Sequence, residues 1–400
     1  MRTLKKQTKK KENTTYILLL ALTYLMLKVN NVFGSNPNRM TKLEDEHYFI
    51  DDIVSIKNRQ KSKMYVREGK RIGHGSFGTV TQSYLSSNSI EWLGPYAIKR
   101  VVKSPKVQSL ELEILQNIRH PNLVTLEFFF ESHCTTKDGG HLYQKNFVME
   151  YIPQTLSSEI HEYFDNGSKM PTKHIKLYTF QILRALLTLH SMSICHGDLK
   201  PSNILIIPSS GTAKVCDFGS AQRLDDNTEL KTYFCSRFYR APELLLNSKD
   251  YTTQIDIWSL GCIIGEMIKG QPLFKGDSAN SQLEEIAKLL GRFPKSSIKN
   301  SQELQDSLND QKFKKFMHWF PSIEFFDVEF LLKVLTYDAT ERCDARQLMA
   351  HEFFDALRNE TYFLPRGSSM PVHLPDLFNF SASEKRALGE YYNLIVPSLD

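Results

Sequence analysis

Residues 195–203, Cys195-His196-Gly197-Asp198-Leu199-Lys200-Pro201-Ser202-Asn203, run into Ile204–Ile207, a turn at Pro208–Gly211, Ala213–Cys216 and then Asp217-Phe218-Gly219. Two short apolar runs flanking a Pro/Gly turn predict a β-hairpin. Centred on residue 210, the hairpin opposes residues whose numbers sum to 420, which sets Asn203 against Asp217. An amide oxygen beside a carboxylate at a hairpin mouth is a pair of hard donors suited to magnesium. Either half alone also fits an ordinary polar capping loop, so the reading depends on the sequence to either side.

Upstream, Ile72-Gly73-His74-Gly75-Ser76-Phe77-Gly78-Thr79-Val80 is a G-x-G-x-x-G stretch followed by strand-like Thr-Gln-Ser-Tyr-Leu. Glycines at these positions let a strand–turn–strand hairpin bring its backbone close to a polyphosphate; a dinucleotide-binding turn would need a helix next. Tyr96–Val101 alternates as a strand and puts Ala97 and Lys99 on one face. Val107–Ile118 has helical periodicity. At about 100° per residue, Glu111 falls at about 100°, inside the apolar arc of Val107, Leu110, Ile114, Leu115 and Ile118, while Glu113 points away at about 300°. A carboxylate within a buried stripe needs a partner or a shifted pKa, and Lys99 is the candidate partner. Downstream lies Ala241-Pro242-Glu243.

These six elements, in this order and at compatible spacing, match the protein-kinase signature set. The likeness narrows further. Asp217–Gln222, Tyr233–Glu243, the Met149–Thr155 segment, Gly276-Asp277-Ser278 and Leu377-Phe378-Asn379-Phe380 resemble the glycogen synthase kinase 3 (shaggy-like) family, over roughly residues 64–400. The resemblance implies an α+β, bilobal protein-kinase fold and ATP- and Mg²⁺-dependent phosphorylation of protein serine and threonine. The strand-first, helix-later order of the chain agrees with α+β.

It implies an ATP site of Ile72, Gly73, His74, Gly75, Ser76, Phe77, Gly78, Val80, Ala97, Lys99, Glu111, Glu150 and Ile152. Asn203 and Asp217 would hold Mg²⁺, Asp198 would take the substrate hydroxyl proton, and Lys200 would steady the γ-phosphate. Tyr233 aligns with an activation-segment tyrosine, Glu243 is expected to pair with Arg342, and Asp256 to brace the Asp198 loop. The chain departs from the family where its phosphate-priming pocket draws three basic residues: here stand Leu110, Gly197 and Gln222. An active kinase that does not depend on primed substrates is expected. The alternative is a weakly active kinase or a pseudokinase scaffold.

The organisation expected is a tail and linker over 1–63, a kinase domain over 64–354 divided near 152, and an irregular tail over 355–400 packed on it. Net charge is +5, all of it within residues 1–15. The balanced body has no basic footprint for nucleic acid. Tyr16–Leu27 is uncharged; as a helix it would reach about 18 Å, against about 30 Å of bilayer hydrocarbon. With its basic flank it resembles a signal peptide or anchor, the alternative being a short amphipathic or buried helix. Cytoplasm or nucleus follows from the family resemblance, and the secretory pathway or a membrane from this segment. Six cysteines without a C-x-x-C pattern exclude a disulfide scaffold. Scaffold proteins on the C-lobe are possible partners, although Arg292–Pro321 departs from the family pattern; Lys295–Lys315 reads as a solvated helix and loop.

Overall fold

The computed structural model describes residues 41–42, 47–75, 78–102, 109–135, 141–224, 236–291, 315–320 and 325–397. Tyr16–Leu27, Tyr233, and residues 295–314 of the divergent segment lie outside them. Among the described residues no helix is long and apolar enough to cross a membrane.

The chain separates into two compact units, one of residues 1–108 and 125–151, the other of 109–124 and 152–400. The first is an antiparallel sheet of β1 (Thr41–Lys42), β2 (His47–Ser55), β3 (Lys61–Gly75), β4 (Gly78–Ser86), β5 (Leu93–Val102), β6 (Leu126–Thr135) and β7 (His141–Glu150), in the order β1-β2-β3-β4-β5-β7-β6. β2 also pairs with β6, through Val54↔Phe129 and Ser55↔Phe128, so the last six strands close into a barrel. Its interior is filled by Tyr48, Ile50, Ile53, Val66, Leu85, Ile98, Phe130 and Val148. Closure removes two exposed sheet edges.

β2 corrects the expectation that residues 1–63 hold only a tail and linker. Tyr48 and Ile50 alternate inward with His47 and Phe49, but the period breaks at a bulge between Ile50 and Ile53. Asp51 and Asp52 sit there, facing Lys63 at 3.5 Å and Lys61 at 3.8 Å. Two adjacent aspartates hide a strand from any test of strict alternation.

The second unit opens with helix α1 (Leu110–Asn117) and resumes with β8 (Gln154–Thr155), α2 (Leu156–Asp165) and α3 (Thr172–His190). Strands β9 (Ile194–Cys195), β10 (Ile204–Ile207), β11 (Thr212–Val215) and β12 (Gln222–Arg223) follow. After them come α4 (Pro242–Leu245), α5 (Gln254–Lys269) and α6 (Ala279–Leu290). α3 and α5 are buried nearly all round, as central helices must be. Residues 355–395 contain short helices, among them Ala382–Leu388, and pack on this unit through α3.

Candidate active site

Asp198 is 3% exposed, and three groups fix its carboxylate. Lys200 Nζ donates to Oδ2 at 2.6 Å, the Ser236 backbone N–H donates to Oδ1 at 2.8 Å, and Asn203 Nδ2 approaches Oδ2 at 3.4 Å. Asn203 Nδ2 also donates to the Asp198 carbonyl at 2.8 Å, and Lys200 Nζ to Ser236 Oγ at 3.0 Å. A carboxylate so held has one orientation and an ammonium beside it. Ser236 was missed as a functional residue by sequence reading. It lies 38 residues from Asp198 in the chain, and its only signal was membership of the Cys235-Ser236-Arg237 motif.

The backbone before Asp198 is held from α5. Asp256, buried, accepts the N–H of His196 at 2.8 Å and of Gly197 at 3.0 Å, and faces His190 Nε2 at 2.9 Å. Burial pushes the Asp256 carboxyl up. The bond and charge of His190, the charge of His196 and the Gly197 N–H outweigh it, and the net shift is downward. Gly197 has φ +79°, a left-handed conformation that glycine adopts without strain.

The hairpin forms as expected, but its register is one residue off the sequence reading. Ile204 opposes Val215 and Leu205 opposes Lys214, so pairs sum to 419 and Asn203 meets Cys216, whose N–H donates to the Asn203 carbonyl at 2.9 Å. The turn is the four residues 208–211 with Gly211 at φ +65°, which centres the hairpin between residues 209 and 210. Asp217 therefore lies one step past the hairpin, at φ +65°, ψ +76°. A left-handed non-glycine residue is strained, and such strain collects at functional sites. Phe218 is buried against His196, ring centroids 5.5 Å apart.

Beyond Ser236, the Tyr239 hydroxyl donates to Glu266 of α5 at 2.6 Å, and Ser259 Oγ donates to the Tyr239 carbonyl at 2.7 Å. Arg342 binds Glu243 with both terminal nitrogens, at 3.0 and 3.2 Å, and also donates to the carbonyls of Gln254 and Thr336. The expected pair is thus a structural clamp on the chain that follows the Asp198 site. Glu243→Ala leaves a buried guanidinium short of its counter-charge and should cost about 2–3 kcal/mol. Urea unfolding checks this; an unchanged midpoint would refute it.

In the first unit, Gly73 opposes Val80, Gly75 opposes Gly78, and Val80 opposes Lys99, which in turn opposes Phe147. Ala97 opposes Met149, and Tyr96 opposes Glu150. Val80, Lys99 and Phe147 thus form one rung of the barrel wall. Lys99 is 5% exposed and Ile72 40%. Ser76 and Phe77, and the side chain of His74, lie outside the described residues. Gly78 is required by the fold: at φ +127° a Cβ would sit 1.9 Å from the Arg100 carbonyl oxygen. Gly73 is not so required, since its Cβ would meet only the Val80 side chain at 3.4 Å. The Glu150 carboxylate accepts the Thr125 N–H at 2.7 Å. In the second unit, Ile152 is buried, and so is Glu111, on the inner face of α1 with Ile114 and Leu115.

Residues 66–354 match the protein kinase domain family. The chain is 44% identical over 362 residues to protein kinase MCK1 of Saccharomyces cerevisiae, covering 88% of this chain and 95% of that one. It is 38% identical over 333 residues to glycogen synthase kinase 1 of Pyricularia oryzae, covering 82% and 83%. With protein kinase gsk3 of Schizosaccharomyces pombe it shares 38% over 335 residues, covering 82% and 85%. Signature motifs, two-unit architecture and likeness along most of both chains lead to one conclusion: this chain belongs to the protein kinase family, among its glycogen synthase kinase 3-like, ATP-dependent serine/threonine kinases.

Proposed function

We propose that this kinase, with residues 64–354 as its catalytic domain and 355–400 as a tail packed on it, phosphorylates protein hydroxyls without requiring a primed substrate. The observation that carries the proposal is the fixed Asp198 carboxylate with Lys200 at 2.6 Å and Ser236 N–H at 2.8 Å. Asp198 accepts the proton of the substrate hydroxyl as that oxygen attacks the γ-phosphorus, the bond from phosphorus to the β–γ bridging oxygen breaks, and ADP leaves. Lys200 neutralises charge on the transferred group.

On the first unit, residues 72–78 cover the phosphates. Gly73 supports this role because the fold itself does not demand glycine there. Lys99 holds the α- and β-phosphates, with Glu111 as its counter-charge. Val80, Ala97 and Ile152 line the base, and Glu150 contributes through its backbone, its carboxylate being used by Thr125.

Asn203 and Asp217 fit a magnesium ion. The Asn203 amide nitrogen is committed to the Asp198 carbonyl, which leaves Oδ1 as a hard oxygen donor of the kind magnesium takes, as is the Asp217 carboxylate. An ion held there would neutralise charge on the β- and γ-oxygens. Tyr233 is proposed as an activation-segment modification site. Nothing favours a pseudokinase, since every residue that phosphoryl transfer requires is present.

Independence from priming is supported by Leu110, Gly197 and Gln222, none of which carries charge. Gln222 is buried and paired across to Cys195. Each charge-assisted bond to a phosphate contributes about 1.5–3 kcal/mol, so losing three removes strong selection. Matched primed and unprimed peptides should differ less than about threefold in kcat/KM. A tenfold or larger preference for the phosphorylated peptide would overturn this reading.

A further inference from the structure

Helix α1 carries two carboxylates on different faces. Glu111 is buried, whereas Glu113 is exposed and its Oε1 accepts a bond from Arg223 Nη2 at 2.5 Å. Arg223 lies in β12, where Gln222 opposes Cys195, Arg223 opposes Ile194, and the Leu224 N–H donates to the Ser193 carbonyl at 2.8 Å. β9 runs directly into His196-Gly197-Asp198, and β12 follows closely on Asp217-Phe218-Gly219. α1 also packs against the turn Phe218–Ser220. One ion pair, between residues 110 positions apart, thus joins the helix that bears Glu111 to the strand leaving Asp217 and, through the ladder, to the strand entering Asp198.

We propose that the Glu113–Arg223 pair is an internal positioning clamp: the chain supplies its own carboxylate to hold α1 in register with the Asp198 and Asp217 loops, with no external anion. This rests on the roles given above to Glu111 and Asp198. Neither clamp residue touches a substrate; both act through the groups they align. The pair is partly solvated, so its contribution is modest and screened by salt.

The test uses the full-length chain with an unphosphorylated peptide and the variants Glu113→Arg, Arg223→Glu and the double reversal, with Glu111→Gln as a control. Each single reversal should lower kcat/KM for ATP about three- to fivefold at low salt. The double variant should return to within about twofold of the parent chain, and peptide KM should stay unchanged throughout. In 0.5 M salt the loss in the single variants should shrink. Thermal midpoints measured alongside separate misalignment from loss of fold. Single variants with parental kinetics and midpoints, a double variant no better than the worse single, or a loss confined to peptide KM would each overturn the clamp. A Glu111→Gln variant with undiminished kcat/KM for ATP would instead remove the role assigned to Glu111.

Discussion

Asp198→Asn will lower kcat by about 10²- to 10⁴-fold while leaving the KM for ATP within about threefold, because general-base assistance is lost and binding is not. Asparagine is nearly isosteric. Its oxygen can still accept the Ser236 N–H, and the loop remains braced by Asp256. What disappears is the acceptor for the hydroxyl proton and the counter-charge 2.6 Å from Lys200. Single-turnover transfer of labelled γ-phosphate gives the chemical step directly, and the unfolding midpoint shows whether the loop has kept its fold. A variant retaining more than a tenth of parental kcat would mean that Asp198 is not the base.

Arg184→Met will destabilise the second unit by about 3–5 kcal/mol, the usual penalty for stranding a buried partner. Arg184 leaves α3 and donates to Glu384 at 2.6 and 3.3 Å, to the carbonyls of Asp376, Leu377 and Asn379, and to Asn379 Oδ1 at 2.8 Å; Phe380 stacks on it at 4.8 Å. His120 Nε2 donates to Glu384 at 2.9 Å, while its Nδ1 accepts the Asn122 N–H at 3.0 Å. The three nitrogens of one guanidinium thus tie the tail to the central helix. Urea unfolding measures the cost, and a loss below about 1 kcal/mol would show that the tail is only lightly attached.

The same cluster sets an acid response. Burial works to raise the Glu384 carboxyl, but hydrogen bonds from His120, Arg184 and Ser381 hold it far below its ordinary value of 4.5. A depressed folded-state pKa stabilises fully above the unfolded value and is lost as pH falls, because the unfolded chain then binds the proton first. Stability should therefore decline from about pH 5 downward. The decline should be shallower in Glu384→Gln, which has no such proton to take up. Parallel acid profiles of the two proteins would refute the assignment.

Much of the molecule is legible in one dimension because its chemistry is built from short local motifs. Gly73–Gly78, Lys99, Asp198, Asn203 and Asp217 are each announced by neighbours within a few residues. Helical period alone put Glu111 on the buried face of α1 and Glu113 on its exposed face. The rule for reading strands failed where charges interrupt alternation, which concealed β2. Hairpin register depends on turn geometry, and a four-residue turn shifted every pair by one.

Contacts made at long range lay beyond pattern altogether. Ser236 reaches Asp198 across 38 residues, Arg223 meets Glu113 across 110, and Arg184 finds Glu384 across 200. No periodicity or spacing links such partners, since each is chosen by the path of the backbone and by the need of a buried charge for a counter-charge. The sequence by itself therefore determined the chemistry and the order of the elements, which local propensity and burial period encode. Tertiary structure alone decided which distant charges meet, and so how the Asp198 loop, α1 and the tail are held.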